Sequence, residues 1–168
     1  VRSGNILSPA SYLQREKTML THAAGAVIVS LSLWAGAAHA EISEKDAVAL
    51  VEKGAQFMRQ NGKDEMIRKI NTKDPDFYAG ALYLALRDMN GITVAHPTTA
   101  LIGKNLVDVP DADGKLFRRE MMAMAQGSKG CGWVEYKFMN PASGKVESKI
   151  TYVLRVGDVA LEAGIYKR

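Results

Sequence analysis

The chain has 168 residues, and its 22 basic against 18 acidic side chains leave a formal charge of +4. The charges are interspersed, without the clustered basic stripe and interleaved aromatics that a nucleic-acid surface presents, so nucleic acid is excluded as a partner. Its single cysteine, Cys131, excludes an intrachain disulfide, a CxxCH haem attachment and a cysteine-rich zinc centre.

The N-terminal segment has the pattern of a secretory signal. Arg15 and Lys17 precede an uncharged run from Ala23 to Ala38, and Ala38-His39-Ala40 closes it. Basic patch, apolar core and A-x-A predict cleavage after Ala40, with Val1 an alternative start or Met19 the true one. The run is short for a membrane span, which needs ~20 apolar residues; a retained N-terminal anchor is the alternative. Residues 1–40 are therefore set aside as leader and upstream segment, and 41–168 is expected as one exported, soluble domain. Losing Arg2, Arg15, Lys17 and Glu16 with the leader brings the formal charge to +2.

The spacing predicts a first helix from Ser43. Ser43 and Asp46 make an N-cap pair, Val48, Val51, Ala55 and Met58 recur at helical intervals, and Asn61-Gly62 ends the run. A short helix from Asp64 to Ile70 follows, broken at Lys73-Asp74-Pro75. Two strands, Ala81–Met89 and Ile92–His96, then flank Asn90-Gly91, a strong short hairpin signal. A two-residue turn there pairs Met89 with Ile92, Arg87 with Val94 and Ala85 with His96. Alternation puts Leu82, Leu84 and Leu86 on a core face, and Tyr83, Ala85 and His96 on the other.

After a loop from Thr98 to Lys115 comes a helix, Leu116–Gln126, with Phe117, Met121 and Met124 on one side. Strands are expected at Cys131–Met139, Lys145–Val156 and Val159–Tyr166, the last two joined by Gly157-Asp158. The expected architecture is one α+β domain: a long N-terminal helix on five antiparallel strands, with a helical excursion in the middle.

Few residues carry chemistry. Val109-Pro110-Asp111-Ala112-Asp113-Gly114, with Glu120, echoes a calcium loop, but Val109 stands at the opening ligand position and Pro110 stiffens the loop. Asp-x-Asp-Gly also suits a turn entering a helix. His96 is the one histidine beyond the leader, which argues against zinc. No G-x-S-x-G elbow is present, and no cofactor is implied. Glu135 and Glu147 are explained as cross-strand ion pairs with Lys137 and Lys149. What remains is a polar-aromatic group on the strands: Tyr83, His96, Trp133, Tyr136, Lys149 and Tyr152. A buried lysine needs a partner. One reading is a small carboxylate in a mostly apolar pocket. The other is a satisfied core histidine, packed tyrosines and a surface Lys149–Glu135 pair, because alternation puts Lys149 and Tyr152 on opposite faces unless the strand bulges.

The ordered segments DAVALVEKG, FYAGALYLALRDMNGITVAHP, LIGKNLVDVPDADGKLF, GWVEYKFMNPASGKVESKITYV and AGIYK resemble a single Cache domain of the second type, from about Asp46 to Lys167. The resemblance implies an extracytoplasmic PAS-like fold that senses small organic acids such as acetate, propionate, pyruvate or lactate. It carries over Tyr83, His96, Trp133, Tyr136, Lys149 and Tyr152 as pocket residues, with Lys149 the charge partner of a ligand carboxylate. The chain departs from the family pattern at Phe138, where tryptophan is frequent, and at Ser148, where proline is common. The family's sensors usually have a membrane helix on each side of the domain, and the expectation here is instead a stand-alone, exported Cache protein. The expectation is a periplasmic or secreted carboxylate-binding module, not an enzyme. It would act through a membrane-bound histidine kinase, chemoreceptor or transporter, and the Thr98–Lys115 loop would close over the pocket. The rivals are a cell-envelope interaction module with a filled pocket, and an enzyme using His96 as acid or base.

Overall fold

The computed structural model describes residues 42–167. The leader, its cleavage point and the choice of start lie outside them. Among the described residues no helix is long and apolar enough to cross a membrane.

Helix α1 spans Glu44–Asn61 and starts where the cap pair predicts. The Asp46 carboxylate receives both the backbone N–H of Ser43 at 2.7 Å and its hydroxyl at 2.6 Å. At the other end the chain leaves the helix at Gly62, whose φ of 87° suits glycine, and whose N–H is bonded to the Met58 carbonyl. Helix α2, Lys63–Asn71, follows directly.

Six strands form an antiparallel sheet: β1 Tyr78–Ala79, β2 Leu82–Asp88, β3 Thr93–Ala95, β4 Cys131–Met139, β5 Val146–Val156 and β6 Val159–Tyr166. The order is β1-β2-β6-β5-β4, and β3 also pairs with β2. The expected five strands thus gain a sixth. Gly80, at φ 62°, turns Tyr78–Ala79 back onto Tyr83 and Leu82. Two residues are too few for an alternation signal.

The Asn90-Gly91 hairpin forms with a different turn from the expected one. Its loop has three residues: the Asp88 N–H bonds to the Ile92 carbonyl, and Gly91 adopts φ 88°. Arg87 therefore faces Thr93 rather than Val94. A bulge at once restores the expected register, so that Leu86 faces Ala95. The two irregularities cancel beyond Ala95, where His96 leaves the strand.

The faces divide as the alternation predicts. Ala47, Val51, Ala55 and Met58 of α1 pack with Leu84, Leu86, Leu161 and Ala163, together with Met66 and Ile70 of α2. Each fully buried leucine there contributes roughly 1.5–3 kcal/mol. Gly54 lets the helix approach: a Cβ there would sit 2.5 Å from Leu84 Cδ1. On the opposite face lies α3, Phe117–Gln126, whose Phe117, Met121, Met122 and Ala125 cover Val134, Tyr136, Val153 and Ala160.

Asp111 fastens the loop ahead of α3. Its carboxylate accepts the backbone N–H groups of Asp113, Lys115 and, on β4, Lys137, at 2.8–3.0 Å. Those bonds, Lys137 first, hold its carboxyl below the ordinary range. Glu120, the other acid of the calcium-like pattern, pairs with Lys115 at 3.0 Å. Asp-x-Asp-Gly here is a turn latched to the sheet.

Candidate functional site

The sheet face beneath α3 does not close completely. Between β2, β4, β5, β6 and the start of α3 lies a cavity of ≈ 30 Å³, and its lining is unusually charged. Period-two alternation brings Tyr83, Ala85 and Arg87 to it from β2, Tyr136 and Phe138 from β4, Lys149 and Thr151 from β5, and Glu162 and Gly164 from β6. His96 arrives after β3, and Phe117 and Arg118 from the first turn of α3.

Lys149 is 2 % exposed. Its Nζ donates to the Tyr83 hydroxyl at 3.0 Å. The same nitrogen lies 4.1, 4.7 and 5.7 Å from the ring centres of Tyr83, Tyr166 and Phe138. Among the described residues no carboxylate comes within ion-pairing distance of it. Burial depresses its pKa to about 7, with Glu162 pulling the other way. The expected Lys149–Glu135 surface pair does not form: Glu135 binds Lys167 at 2.7 Å. Nor does Glu147 pair with Lys149; it accepts from the Asn140 amide and the Ser143 hydroxyl.

Three further groups set the charge of the cavity. Arg87 holds Glu162 through two hydrogen bonds, 2.8 and 3.2 Å, and also reaches Thr93 Oγ1 at 3.1 Å. Arg118 is 6 % exposed and has no carboxylate partner among the described residues. It stacks 4.1 Å over the Phe117 ring and donates to the Val109 carbonyl at 3.3 Å. Burial, then Arg87, lowers its pKa from the usual arginine value.

His96 is buried with its tautomer fixed. Nδ1 accepts the Thr98 N–H at 2.8 Å, so the proton of the neutral ring is on Nε2. Burial, then the positive charges of Lys149, Arg87 and Arg118, hold its pKa near 3. Neutral His96 is therefore a hydrogen-bond donor in this cavity. Its ring meets that of Tyr83 edge-on at 5.3 Å. Tyr136 stacks on Phe117 at 3.9 Å and shares a hydrogen bond with Thr151 at 3.0 Å. Burial pushes Tyr83 up to about 12, and Tyr136 above the ordinary tyrosine range.

Of the six sequence-predicted residues, Tyr83, His96, Tyr136 and Lys149 meet around this cavity. Trp133 and Tyr152 do not. They face each other across β4 and β5, rings 5.2 Å apart, on the side packed by α1. The reason is the unbroken register from Cys131–Leu154 to Met139–Val146, with no bulge to turn either residue over. Sequence reasoning missed Arg87, Arg118, Glu162 and Thr151. Arg87 follows Tyr83 and Ala85 at period two, and Glu162 is the lone acid in an apolar strand, so both had a signal. Arg118 had none, since Arg119 beside it is an ordinary exposed residue that pairs with Asp108.

The family model described as Single Cache domain 2 matches residues 14–160, most of the chain. The chain belongs to that family. Its fold is shared by solved sensor domains. A methyl-accepting chemotaxis protein from Vibrio parahaemolyticus superposes with a TM-score of 0.63 at 20 % identity, covering 73 % of this chain and 86 % of that one. A periplasmic sensor domain of a chemotaxis protein gives 0.57 at 26 % identity, covering 74 % and 90 %. A Cache chemosensory domain solved for carboxylic acid recognition gives 0.57 at 22 %, covering 74 % and 88 %. No curated protein matches in sequence. This Cache domain is thus a PAS-like sensor module, and the family is one of sensors rather than enzymes.

Proposed function

We propose that this Cache domain binds a small monocarboxylate in the cavity beneath α3 and reports it to a signalling or uptake partner. The carrying observation is charge. Lys149 and Arg118 lack an acidic partner among the described residues, while Arg87 and Glu162 satisfy each other. A buried surplus of cationic groups is costly unless an anion joins it. A carboxylate fits best: planar Arg118 can bind both oxygens, Lys149 supplies a point charge, and His96 offers an N–H. Phe117, Phe138 and Leu101 give the apolar wall.

Size narrows the choice. A cavity of ≈ 30 Å³ has room for little more than water and lies far below the ~150 Å³ that admits benzene, so a bound acid must be short, acetate to pyruvate or lactate, and must widen the cavity as it enters. The same narrowness favours the second reading, an interaction module whose cavity is a filled core. The solved neighbour that recognises a carboxylic acid supports the first.

Arg118 also offers a mechanism. It holds the Val109 carbonyl, in the loop whose Leu101 walls the cavity. A carboxylate that engages Arg118 competes with that bond, so occupancy bears directly on the loop. As an exported domain it would pass the change to a membrane-bound kinase, chemoreceptor or transporter. The test is thermal stabilisation and calorimetry with acetate, propionate, pyruvate and lactate. Saturation to 100 times the dissociation constant should stabilise by ~2.7 kcal/mol, and Arg118→Ala should abolish it. A folded protein indifferent to all four acids would instead support the interaction module.

A further inference from the structure

Resting on that reading, we propose that the cavity takes up its carboxylate together with one proton, which Lys149 Nζ accepts from solvent. The geometry carries the argument. Every element packed against Lys149 can be inspected for a counter-charge. From β2 come Tyr83, a neutral phenol, and Arg87, a cation. From β4 come Tyr136 and Phe138. From β6 come Tyr166 and Glu162, the latter bound through both oxygens by Arg87. After β3 comes His96, a neutral donor, and from α3 comes Arg118, a second cation. Among the described residues the one acid in reach is occupied, and the other charges are of the same sign as an ammonium.

The aromatic faces around Nζ do favour a cation. They replace little of the hydration an ammonium loses at 2 % exposure. In the empty cavity Lys149 therefore rests largely as the amine above neutral pH, donating one N–H to Tyr83 and keeping a lone pair. A carboxylate beside Arg118 supplies the missing negative charge. The lone pair then takes a proton, the ammonium pairs with the carboxylate, and the site gains acid and proton in equal number. Its depressed basicity, about 7, is that of a lysine poised for this step.

The experiment is isothermal calorimetry of the protein with acetate, propionate, pyruvate and lactate at pH 6, pH 8 and pH 9, in pairs of buffers of different ionisation enthalpy. The expected result is uptake of about 0.9 proton per acid at pH 8 and about 0.1 at pH 6, with the dissociation constant rising roughly 100-fold from pH 6 to pH 9. Carbon NMR of the Lys149 Cε, assigned by its loss in Lys149→Met, gives a second readout. It should titrate near pH 7 without acid and well above that with it. An acid that binds with the same heat in every buffer, and with a flat affinity from pH 6 to pH 9, overturns proton uptake while leaving the carboxylate site standing. No binding by any of the four acids overturns both.

Discussion

Replacing Lys149 by methionine should make the empty protein more stable and deaf to the proposed carboxylate. Methionine, one atom shorter, is flexible and fills most of the same space without a charge. The gain follows from the lysine's lost basicity, from 10.5 to about 7. At about 1.4 kcal/mol for each tenfold change in proton affinity, holding this amine at pH 7 costs the folded state about 4 kcal/mol. Removing it also removes the bond to Tyr83, whose buried hydroxyl loses a partner at a cost of about 1–2 kcal/mol. The net is a stabilisation of about 2–3 kcal/mol, a rise in Tm of roughly 5–12 °C for a domain of this size. Differential scanning calorimetry at pH 7 reads the first half, and the shift on adding acetate or propionate, expected to vanish, reads the second. The advantage should shrink at pH 10, where lysine is less protonated in the unfolded chain as well. A variant less stable than the parent at pH 7 would refute the reasoning, because it would mean that the ammonium is satisfied inside the empty cavity.

Other parts of the site make separate predictions. Arg87→Met strands Glu162 in the sheet without its partner and should cost about 3–5 kcal/mol in urea unfolding, whereas Arg119→Met, at an exposed pair, should cost under about 1 kcal/mol. His96 titrates near 3 when folded and at its ordinary value when unfolded, so the unfolded chain binds more protons between those limits. Stability should therefore fall as pH drops from about 6.5 to 3, by up to about 1.4 kcal/mol per pH unit from this group; His96→Gln should flatten that portion of the profile, and an unchanged slope would count against a neutral, buried imidazole. Gly54→Ala drives a methyl to 2.5 Å from Leu84, and overpacking of about 1–3 kcal/mol should outweigh the ~1 kcal/mol helix gain, seen as a lower urea midpoint.

How much of this was legible depended on which structural period carried it. Leu84 and Leu86 against Tyr83 and Ala85 is a period-two pattern, and it placed both the core face and half of the cavity correctly. The same rule separates Lys149 from Tyr152, and the structure keeps them on opposite faces, so the six residues grouped by the family resemblance do not all line one cavity. Arg118 was illegible for a physical reason. Its role depends on which of two neighbouring arginines at the start of α3 turns under the helix, and that is decided by Phe117 stacking on Tyr136, a contact across nineteen residues of chain. The three-residue turn was hidden because Asn90-Gly91 suits either loop length. The choice falls to Asp88, whose Oδ1 accepts the N–H groups of Asn90 and Ile92 and so closes the longer loop.

The charge of the cavity also explains why a sensor would keep what a stable core would discard. Apolar residues at positions 118 and 149 would fill the space beneath α3 and remove two dehydrated cationic groups, a change that favours the fold. The groups present instead make the empty state the uncomfortable one. Arg118 spends a hydrogen bond on a loop carbonyl and Lys149 tends to surrender its proton, so each holds back interaction energy that the proposed carboxylate would release. Because a ligand shifts a conformational equilibrium only by its differential affinity for the two states, that reserve sets how strongly the loop can respond. Neutralising the cavity should thus raise stability and lower responsiveness together, and variants that separate the two would place the response elsewhere than beneath α3.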